Sequence, residues 1–476
     1  MGRNGSQWVD EFGCFAQHRQ YHDGRRAAQR GFHEMILFLG ANHFHTCQHD
    51  VHPTSAGTAA PPVKPPHVLI AGAGPVGLVS ALTLATAGIA VTVFERNTAA
   101  AEDLRASTFH PPTMDMLARF GITDELLPQG LVARYTQQRD RKDGLIAEFD
   151  MALLAGETQY PFRLQCEQWK LSRVLMARLA KFPHVKLIFG AEVASVTQDA
   201  DSVRVDVNMN VDVDVDALMG ASSQTQRQTQ SFSGDYLIGA DGAWSAVRLA
   251  LGIEFEGFTY PERFLVVSTE FEFTDHFPKL SYVNYVSDPQ EWCVLLRVPT
   301  LWRVLFPTLA DETDEVVLSD VSIQARLQNL LPQNESYQTV HRTLYKVHQR
   351  VAKEFRRGRV ILAGDAAHIN NPLGGMGMNG GVQDAFNLSD KLVDILNNGA
   401  SDDLLDRYQR QRRSVAIEYI NANTARNKKN IEERDPELRR KTQDELRAIA
   451  ADPVAAKAYL RKTSMIDALE RAEAIT

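Results

Sequence analysis

The segment HVLIAGAGPVGLVSALTLATAGIAVTVFERN, residues 67–97, restricts the fold of this chain more than any other part of it. An apolar run leads into three glycines spaced G-x-G-x-x-G, at Gly72, Gly74 and Gly77, and a helical and then a β-branched stretch follow. Gly72 permits a tight turn, Gly74 lets a bound pyrophosphate approach the backbone, and Gly77 allows close packing of helix on strand. We predict a strand–helix–strand unit that binds a dinucleotide.

The same unit restricts the kind of dinucleotide. The predicted helix begins at Pro75 and Val76, and unpaired N–H groups at a helix start attract phosphate. Glu95 ends the second strand, where a carboxylate accepts both hydroxyls of a ribose. That carboxylate repels a 2′-phosphate, so NADP is disfavoured here, and NAD and the ADP half of FAD remain. Arg96 is interpreted as a surface or phosphate contact.

Length and charge restrict the class of protein. A chain of 476 residues is expected to form two domains. Its 51 lysines and arginines against 59 acidic residues give a formal charge of −8, which disfavours nucleic-acid binding. Val68–Phe94 carries no formal charge and is long enough to cross a bilayer, but its glycines and β-rich ends favour strand–helix–strand over a transmembrane segment. Scattered cysteines without a C-x-x-C pair indicate a reduced, cytoplasmic location.

Two segments have metal-binding residue types without the required spacing. Residues 1–65 contain the histidine-rich stretch HFHTCQHDVH, and they are interpreted as a disordered or loosely attached extension. DVDVD, Asp212–Asp216, lacks the glycine and the glutamate that a calcium loop needs at its sixth and twelfth positions. We therefore predict no metal site. The sequence before and after DVDVD predicts a long amphipathic strand at Val203–Val215 and an exposed hairpin loop at SSQTQRQTQS, residues 222–231.

Two later turns place a carboxylate at the end of a predicted strand. YLIGADGAWSAVR puts Asp241 after the apolar run Tyr236–Ile238, and GRVILAGDAAH puts Gly364 and Asp365 after Val360–Leu362. Ligands of α/β sheets bind at the carboxyl ends of strands. By itself, each glycine–aspartate pair indicates only a turn, because both residue types are common in turns. With the first motif, however, they form an ordered set of three.

The three motifs together resemble the para-hydroxybenzoate hydroxylase-like family of flavoprotein aromatic hydroxylases, over roughly residues 66–425. The resemblance implies an α/β fold in which a Rossmann-like FAD-binding domain is interleaved with a mixed β-sheet substrate domain, followed by a helical C-terminal tail. The implied limits are residues 66–145, 166–252 and 358–425 for the FAD-binding domain, 146–165 and 253–357 for the substrate domain, and 426–476 for the tail.

The resemblance also assigns residues to parts of the cofactor. Arg105 matches a flavin-side arginine, Gln168 a ribityl contact and Val193 a border of the adenine. Asp365 matches the ribityl-binding aspartate, and Asp241 belongs to a motif linked to both FAD and the nicotinamide cofactor. The full set of expected cofactor-binding residues is Gly72, Gly74, Pro75, Val76, Gly77, Glu95, Arg96, Arg105, Gln168, Val193, Asp241, Gly364, Asp365, Gly377, Met378 and Asn379.

A second glycine cluster, NPLGGMGMNGG at residues 371–381, repeats the G-x-G-x-x-G spacing at Gly375, Gly377 and Gly380. No strand runs straight into it and no acid follows a second strand, so the repeat does not predict a second dinucleotide fold. It predicts instead a helix at Gly381–Asn397. The resemblance implies that the N–H groups of Met378 and Asn379 face the pyrimidine end of the flavin and that Pro372 lines the oxygen-reacting space.

The resemblance implies a reaction in which NADH or NADPH reduces tightly bound FAD, oxygen adds at flavin C4a, and the hydroperoxide hydroxylates a phenol-like small molecule. No side chain is assigned as acid or base. The polar and aromatic candidates of the second domain, each interpreted as core or surface, are His276, Tyr282, Tyr285, Trp292 and Arg297. His368 is interpreted as structural.

Other functions on the same scaffold stay open. They are a flavin epoxidase or N-hydroxylase, a halogenase, a flavin reductase that does not transfer oxygen, and a redox-sensing flavoprotein. The halogenase is disfavoured because the sequence has no W-x-W-x-I-P segment. The expected partners are an aromatic substrate, O2 and NAD(P)H, with no nucleic acid, and the chain is compatible with a homodimer.

Overall fold

The computed structural model describes residues 65–100, 102, 106–213 and 224–476. Residues 1–64 of the predicted extension, Arg105 and residues 214–216 of the DVDVD segment lie outside the described residues. Within the described part, no helix is long and apolar enough to span a membrane.

The first motif lies at the centre of a parallel sheet. Among the described residues, this six-stranded sheet contains, in spatial order, β18 (Arg356–Arg357), β19 (Val360–Leu362), β12 (Tyr236–Gly239), β1 (His67–Ala71), β2 (Ala90–Glu95) and β8 (Val185–Phe189). All neighbours are parallel except the edge strand β18. The apolar runs of the four inner strands, β19, β12, β1 and β2, are buried, as in parallel sheets that helices cover. The predicted strand–helix–strand unit and the strands before Asp241 and Gly364 are confirmed.

A three-stranded antiparallel sheet is formed by β9 (Ala191–Gln198), β10 (Val203–Val213) and β11 (Gln224–Gly234). In β10, Val203, Val205 and Val207 are buried, which confirms the predicted amphipathic strand. The predicted hairpin loop is wrong over residues 224–231, because Gln224–Gly234 pairs with β10 along its length; residues 222–223 lie outside the described residues. Its polar composition indicated a loop, but pairing of the backbone groups with a neighbouring strand decides the structure.

The second large sheet is mixed. Within the described chain it contains, in spatial order, β20 (His368–Ile369), β17 (Thr339–Ala352), β13 (Phe255–Thr269), β16 (Trp302–Pro307), β15 (Cys293–Arg297), β14 (Val283–Ser287), β5 (Tyr135–Asp140) and β6 (Gly144–Asp150). β14 and β5 run parallel, and the other neighbours are antiparallel. Since β5 belongs to this sheet, the expected boundary at residue 145 falls inside the β5–β6 hairpin. The domain limits remain a prediction.

Helices cover these sheets. A small antiparallel sheet contains, in spatial order, β3 (Thr108–Phe109), β7 (Arg163–Gln165) and β4 (Leu131–Ala133). The helices are α1 (Pro75–Thr86), α2 (Pro111–Ala118), α3 (Ile122–Leu126), α4 (Gln168–Leu179), α5 (Ala246–Ala250), α6 (Asp314–Val317), α7 (Asp320–Leu330), α8 (Met376–Asn398), α9 (Asp403–Val415), α10 (Ala422–Ile431), α11 (Pro436–Ala451), α12 (Pro453–Thr463) and α13 (Ile466–Glu473). A π-helical stretch, Ala416–Asn421, joins α9 to α10.

Alternate residues of the mixed sheet enter two different hydrophobic clusters. Leu265 and Val267 pack with Leu327 of α7. Phe264 and Val266 pack in the other cluster, together with Leu373 from the second glycine cluster. Because neighbouring residues of a strand point to opposite faces, only one face of this sheet meets the second glycine cluster.

The C-terminal tail is helical, as predicted. The structure describes every residue of α11, and Gln443 is the one buried residue among them. This helix therefore lies at the surface. The segments after it contribute fully buried side chains. Leu460 of α12 packs with Phe149 of β6, and Met465, the N-cap residue of α13, packs with Met376 at the start of α8. The end of the chain therefore contributes to the core beside the second glycine cluster.

Candidate active site

The three glycines of the first turn have different surroundings. Gly72 has φ = +100°, and a Cβ added there would lie 2.3 Å from the Ala240 carbonyl oxygen. A Cβ on Gly77 would lie 2.0 Å from the Gly72 oxygen, so helix and turn touch. A Cβ on Gly74 would meet nothing within 4 Å. Two of the glycines thus serve packing, and Gly74 faces open space at the start of α1.

Glu95 is fixed at the edge of this turn. One carboxylate oxygen accepts the Ala73 N–H at 2.9 Å, and the other accepts the Asn97 N–H at 3.0 Å and its side-chain N–H at 2.7 Å. Arg96, the next residue, is exposed. The carboxylate is therefore held beside the first residues of the glycine turn, where a ribose is expected.

The Asp241 turn adjoins the first glycine turn, since a Cβ on Gly72 would lie 3.0 Å from the Asp241 Cα. One carboxylate oxygen of Asp241 accepts the Val247 N–H at 3.1 Å. The other, Oδ1, is buried and has no hydrogen-bond partner among the described residues. Burial raises the pKa of Asp241. A buried oxygen without a donor is costly, so this atom fits a site that a bound ligand completes.

The Gly364–Asp365 turn also reaches α1. A Cβ on Gly364 would lie 2.7 Å from a Val76 methyl carbon, and a Cβ on Gly381 would meet the same methyl group at 2.7 Å. Asp365 is exposed at the carboxyl end of β19. The three sequence motifs thus converge at the carboxyl ends of β1, β12 and β19, where ligands of parallel sheets bind.

A buried polar network lies behind the Gly364 turn. Asp384 on α8 accepts the Gly364 N–H at 3.0 Å, His368 Nε2 lies 2.8 Å from the same carboxylate, and Arg412 Nε donates to it at 2.5 Å. Burial raises the pKa of Asp384, but the charges of Arg412 and His368 outweigh it, so the pKa lies below its usual value. His368 therefore has a structural role, because it contacts the carboxylate that holds the Gly364 turn.

The second glycine cluster forms the start of α8. The helix begins at Met376, five residues before the predicted Gly381, because Gly375 takes the N-cap position with φ = +67°. A helix start leaves the N–H groups of its first three residues without intrahelical partners, which favours Gly377 and Met378 as donors. Asn379 braces this start, since its side chain accepts the His110 N–H at 2.8 Å and donates to the Thr108 oxygen at 2.8 Å.

The remaining expected cofactor residues lie on other elements. Gln168 begins α4, and its N–H donates to the Ala106 oxygen at 2.9 Å. Val193 of β9 is 5% exposed and packs in the core with the strands of the parallel sheet. Pro372 is partly buried, and its oxygen accepts the Gly375 N–H at 3.0 Å. Their contacts with a cofactor remain predictions.

The candidates from the second domain separate onto two faces of the mixed sheet. Arg297 pairs with Glu272 at 3.1 Å, and the His276 ring stacks at 5.0 Å on Phe271, which packs with the α7 cluster. Tyr282, Tyr285 and Trp292 instead belong to the cluster that contains Leu373. Only the second group lies on the face that meets the second glycine cluster.

Two buried residues near this face were not predicted. His110 is fully buried, and its Nε2 lies 2.8 Å from the Gly374 oxygen. Arg163 of β7 is 3% exposed and donates to the Tyr285 hydroxyl at 3.5 Å. The two residues come from segments that share no motif, so no spacing in the sequence links them, and the fold alone brings them together.

Residues 66–423 match the family described as "FAD binding domain". The chain belongs to this family. It is 35% identical over 381 residues to the para-nitrophenol 4-monooxygenase of Pseudomonas sp. (strain WBC-3), covering 78% of this chain and 89% of that protein. It is 34% identical over 377 residues to the 6-hydroxy-3-succinoylpyridine 3-monooxygenase HspB of Pseudomonas putida (strain DSM 28022 / S16), covering 78% and 90%.

Solved structures agree with this assignment. The crystal structure of the p-nitrophenol 4-monooxygenase PnpA from Pseudomonas putida DLL-E4 superposes with a TM-score of 0.76 at 33% identity, covering 86% of this chain and 98% of that one. This chain is therefore an FAD-dependent monooxygenase of the aromatic hydroxylase type, as the resemblance predicted, and FAD is its cofactor.

FAD fits the residues that the structure brings together. Gly74 leaves open space at the start of α1, where N–H groups favour phosphate. Glu95 is a suitable ribose acceptor at the edge of that turn. The buried Asp241 oxygen without a donor matches a hydroxyl or N–H of a bound ligand. Asp365 lies exposed at the same edge of the sheet.

Proposed function

We propose that this enzyme uses NADH or NADPH and O2 to hydroxylate a phenol-like aromatic small molecule. One observation carries the proposal. The second glycine cluster lies between the FAD motifs and the apolar face of the mixed sheet, with Gly381 against Val76 on one side and Leu373 beside Tyr285 and Trp292 on the other. A ring held against this face would lie next to the start of α8.

When bound, FAD supplies electron transfer from the nicotinamide donor and the activation of oxygen. The chain supplies position, a dry environment and electrostatics. Trp292, Leu373 and Phe264 are almost fully buried, and together they form an apolar wall that excludes water. The free N–H groups at the start of α8 favour negative charge in their neighbourhood. Pro372 is proposed to line the oxygen-reacting space.

The substrates in the relatives' names support a hydroxylated aromatic ring. Para-nitrophenol 4-monooxygenase and 6-hydroxy-3-succinoylpyridine 3-monooxygenase both act, by name, on a six-membered ring that carries a hydroxyl group. In both names the oxygenated carbon is para to that hydroxyl. We therefore propose a phenol or hydroxypyridine with a substituent or free position para to the hydroxyl.

The nicotinamide donor is proposed to bind transiently. The described residues contain one dinucleotide-binding turn of the expected kind, at Gly72–Glu95, and FAD occupies it in this proposal. Arg105 and the Asp241 turn are the proposed contacts of the donor. A homodimer and a cytoplasmic location likewise remain predictions.

The test is a screen of NADH and NADPH oxidation over substituted phenols and hydroxypyridines, with ¹⁸O₂ and product identification by mass spectrometry. A monooxygenase places one labelled oxygen atom in the product. NAD(P)H oxidation that yields hydrogen peroxide with every ring compound, and no labelled product, would instead indicate a flavin reductase. An enzyme that oxidises neither donor would point to the redox-sensing alternative.

A further inference from the structure

The turn that joins β20 to α8 takes its shape from side chains. Asn371 is fully buried, and its Oδ1 accepts the Leu373 N–H at 3.1 Å. The oxygen of Pro372 accepts the Gly375 N–H at 3.0 Å, at the N-cap of α8. Residues 371–375 form neither helix nor strand, so their other backbone groups need partners from elsewhere in the fold.

Gln349 of β17 holds Asn371. Its Oε1 accepts Asn371 Nδ2 at 3.3 Å and the Tyr260 hydroxyl at 3.1 Å, and its Nε2 donates to the Asn421 carbonyl oxygen at 3.0 Å. The side chain is 7% exposed, so water does not replace a lost partner easily. A buried amide with partners on both its oxygen and its nitrogen is fixed in orientation, because a rotation leaves polar atoms unsatisfied.

A second amide holds the same turn from α10. Asn427 Nδ2 donates to the Leu373 carbonyl oxygen at 3.1 Å, and a Cβ on Gly374 would lie 3.1 Å from this nitrogen. The Gly374 carbonyl oxygen lies 2.8 Å from Nε2 of His110, the N-cap residue of α2. A carbonyl can only accept, so this nitrogen carries the proton and donates. Side chains from β17, α10 and the start of α2 therefore hold the turn together.

The two amides depend on one irregular helical segment. Asn421 ends the π-helical stretch Ala416–Asn421, and α10, which carries Asn427, begins at the next residue. A π-helix is rare and is frequently found at a functional site. Here the carbonyl of its last residue accepts from Gln349, and the helix that follows carries the second amide.

The polar groups behind Gln349 are suited to hold the turn and not to move protons. Lys428 Nζ lies 5.0 Å from the centre of the Tyr260 ring and pairs with Glu262 at 2.6 Å and with Glu432 at 2.5 Å. A chain of polar contacts thus runs from this ion cluster through Tyr260 and Gln349 to the turn. Its last two members are amides, which neither gain nor lose a proton at neutral pH. The chain therefore fixes position only.

We propose that Gln349 and Asn427 are positioning residues that keep the turn 371–375 closed over the oxygen-reacting space. The inference rests on the proposed function, which places Pro372 at that space. Leu373 of this turn belongs to the apolar wall that excludes water. Loosening the turn admits water, and exclusion of water is what prevents side reactions in such a site.

The two amides thereby determine how the reducing equivalents are used. In the coupled reaction, NAD(P)H, one proton, O2 and a ring C–H give NAD(P)+, water and a ring C–OH. In the side reaction, NAD(P)H, one proton and O2 give NAD(P)+ and hydrogen peroxide, and the ring is unchanged. Gln349 and Asn427 act through the turn in this proposal and do not contact the reacting atoms.

The first measurement is hydrogen exchange, followed by mass spectrometry, on the FAD-loaded, full-length enzyme. Peptides that cover residues 371–375 report the Leu373 and Gly375 N–H groups. Gln349→Met removes the hydrogen bonds of the amide at nearly the same size, and Asn427→Leu does so at a partly buried position of α10. Each variant should speed exchange in the turn by about three- to thirtyfold, which follows when the turn loses one or two supporting hydrogen bonds.

The second measurement is the coupling of NAD(P)H oxidation to product. With 4-nitrophenol, or with the ring compound that gives labelled product in the screen, hydrogen peroxide and labelled product are both determined per NAD(P)H oxidised. In Gln349→Met and in Asn427→Leu, the share of NAD(P)H that ends as hydrogen peroxide should rise at least about twofold.

Gln324→Met is the matched control. Gln324 lies on α7, and its side chain bonds to the carbonyl oxygen and the N–H of Tyr337 at 2.7 and 2.8 Å, in the cluster on the opposite face of the mixed sheet. Its loss should change neither exchange in the turn nor the share of hydrogen peroxide. Flavin content and thermal unfolding check that each variant is folded.

Unchanged exchange in both Gln349→Met and Asn427→Leu would show that the amides do not hold the turn. Equal effects in Gln324→Met would show a general loosening instead, and faster exchange with an unchanged share of hydrogen peroxide would contradict the role in coupling. These results are separable from the proposed function, because exchange needs no ring compound. A wild type that makes no labelled product from any ring compound would overturn the proposed function and the coupling role with it, and exchange would still decide whether the amides hold the turn.

Discussion

The carboxylate of Asp384, on α8, accepts a hydrogen bond from the backbone N–H of Gly364 at 3.0 Å. The helix that begins with the second glycine cluster is thereby tied to the turn that carries Asp365. Arg412 of α9 donates to the other carboxylate oxygen at 2.5 Å, so one buried acid joins three elements around the FAD motifs.

The first prediction concerns this acid. Asp384→Asn should lower the free energy of unfolding by about 3–5 kcal/mol, because Arg412 stays buried without its counter-charge. Urea unfolding measures the change. Asp390→Asn is the matched control on the same helix, since Asp390 is half-exposed and pairs with Arg119 at the surface. It should cost less than about 1 kcal/mol, and equal losses in the two variants would contradict the role of the buried network.

The same network predicts a pH dependence. Although burial raises the pKa of Asp384, Arg412 and His368 lower it below its usual value. A depressed pKa stabilises the fold fully above the pKa of the unfolded group, near pH 4, and the contribution is lost as the pH falls through the lower folded value. The stability difference between wild type and Asp384→Asn should therefore not shrink as the pH falls from about 7 to 5, and it should shrink in more acidic solution. A difference that already shrinks above pH 5 would contradict it.

A second prediction separates the roles of two glycines in one motif. Gly74→Val should abolish tight FAD binding while leaving the stability of the apoprotein within about 1 kcal/mol, because its φ of −73° suits any residue and its Cβ meets nothing within 4 Å. Gly77→Ala should instead prevent normal folding, since its Cβ would lie 2.0 Å from the Gly72 oxygen. Flavin absorbance after purification and apoprotein unfolding measure the two effects. Full flavin content in Gly74→Val would contradict the assignment.

The central part of the fold was predictable because its signals are local. Gly72, Gly74 and Gly77 follow an apolar run directly, and Asp241 and Asp365 each follow a strand within a few residues. The backbone geometry of a turn and the burial of a strand in a parallel sheet both restrict residues that are close together in the sequence. Such a pattern can therefore be read from a short segment. The strands and the helix of the first motif therefore lie where the sequence predicted them.

Non-local contacts explain what the sequence did not predict. β11 was predicted as a loop because its composition is polar, but pairing with β10 decides its structure. Gly377 and Gly380 disfavour a helix, so the sequence predicted the start of α8 too late, at Gly381. In the structure, contacts of Asn379 with His110 and Thr108 hold the first turn of α8 in place. Arg163 of β7 donates to the Thr463 carbonyl oxygen of α12 at 3.4 Å although the two residues are 300 positions apart, and only packing of the C-terminal helices brings them together.

A third prediction concerns two buried thiols. Burial raises the pKa of Cys166 and that of Cys293 to about 12. Since the thiolate is the reactive form, neither should react with a maleimide at pH 8 in the folded enzyme, and both should react after unfolding. Peptide mapping by mass spectrometry assigns the label to each cysteine. Rapid labelling of either residue in the native protein would show that its segment opens readily.

The last prediction concerns the start of α8. FAD gains negative charge on reduction, and N–H groups at a helix start stabilise an anion by about 0.3–2 kcal/mol. A Cβ on Gly377 would approach only the Asn370 side-chain oxygen, at 3.5 Å, so this position tolerates a side chain. Gly377→Glu should leave FAD bound through Gly72–Glu95 but lower its reduction potential by roughly 10–40 mV, because a like charge offsets the N–H groups.

Gly377→Gln has nearly the same size without the charge, and it should retain most of the wild-type potential. Redox titration of the three flavin-loaded proteins measures the shift. Equal potentials in Gly377→Glu and Gly377→Gln would show that this helix start does not face the flavin, since a charge beside the ring must act on its reduced form whatever the size of the side chain that carries it.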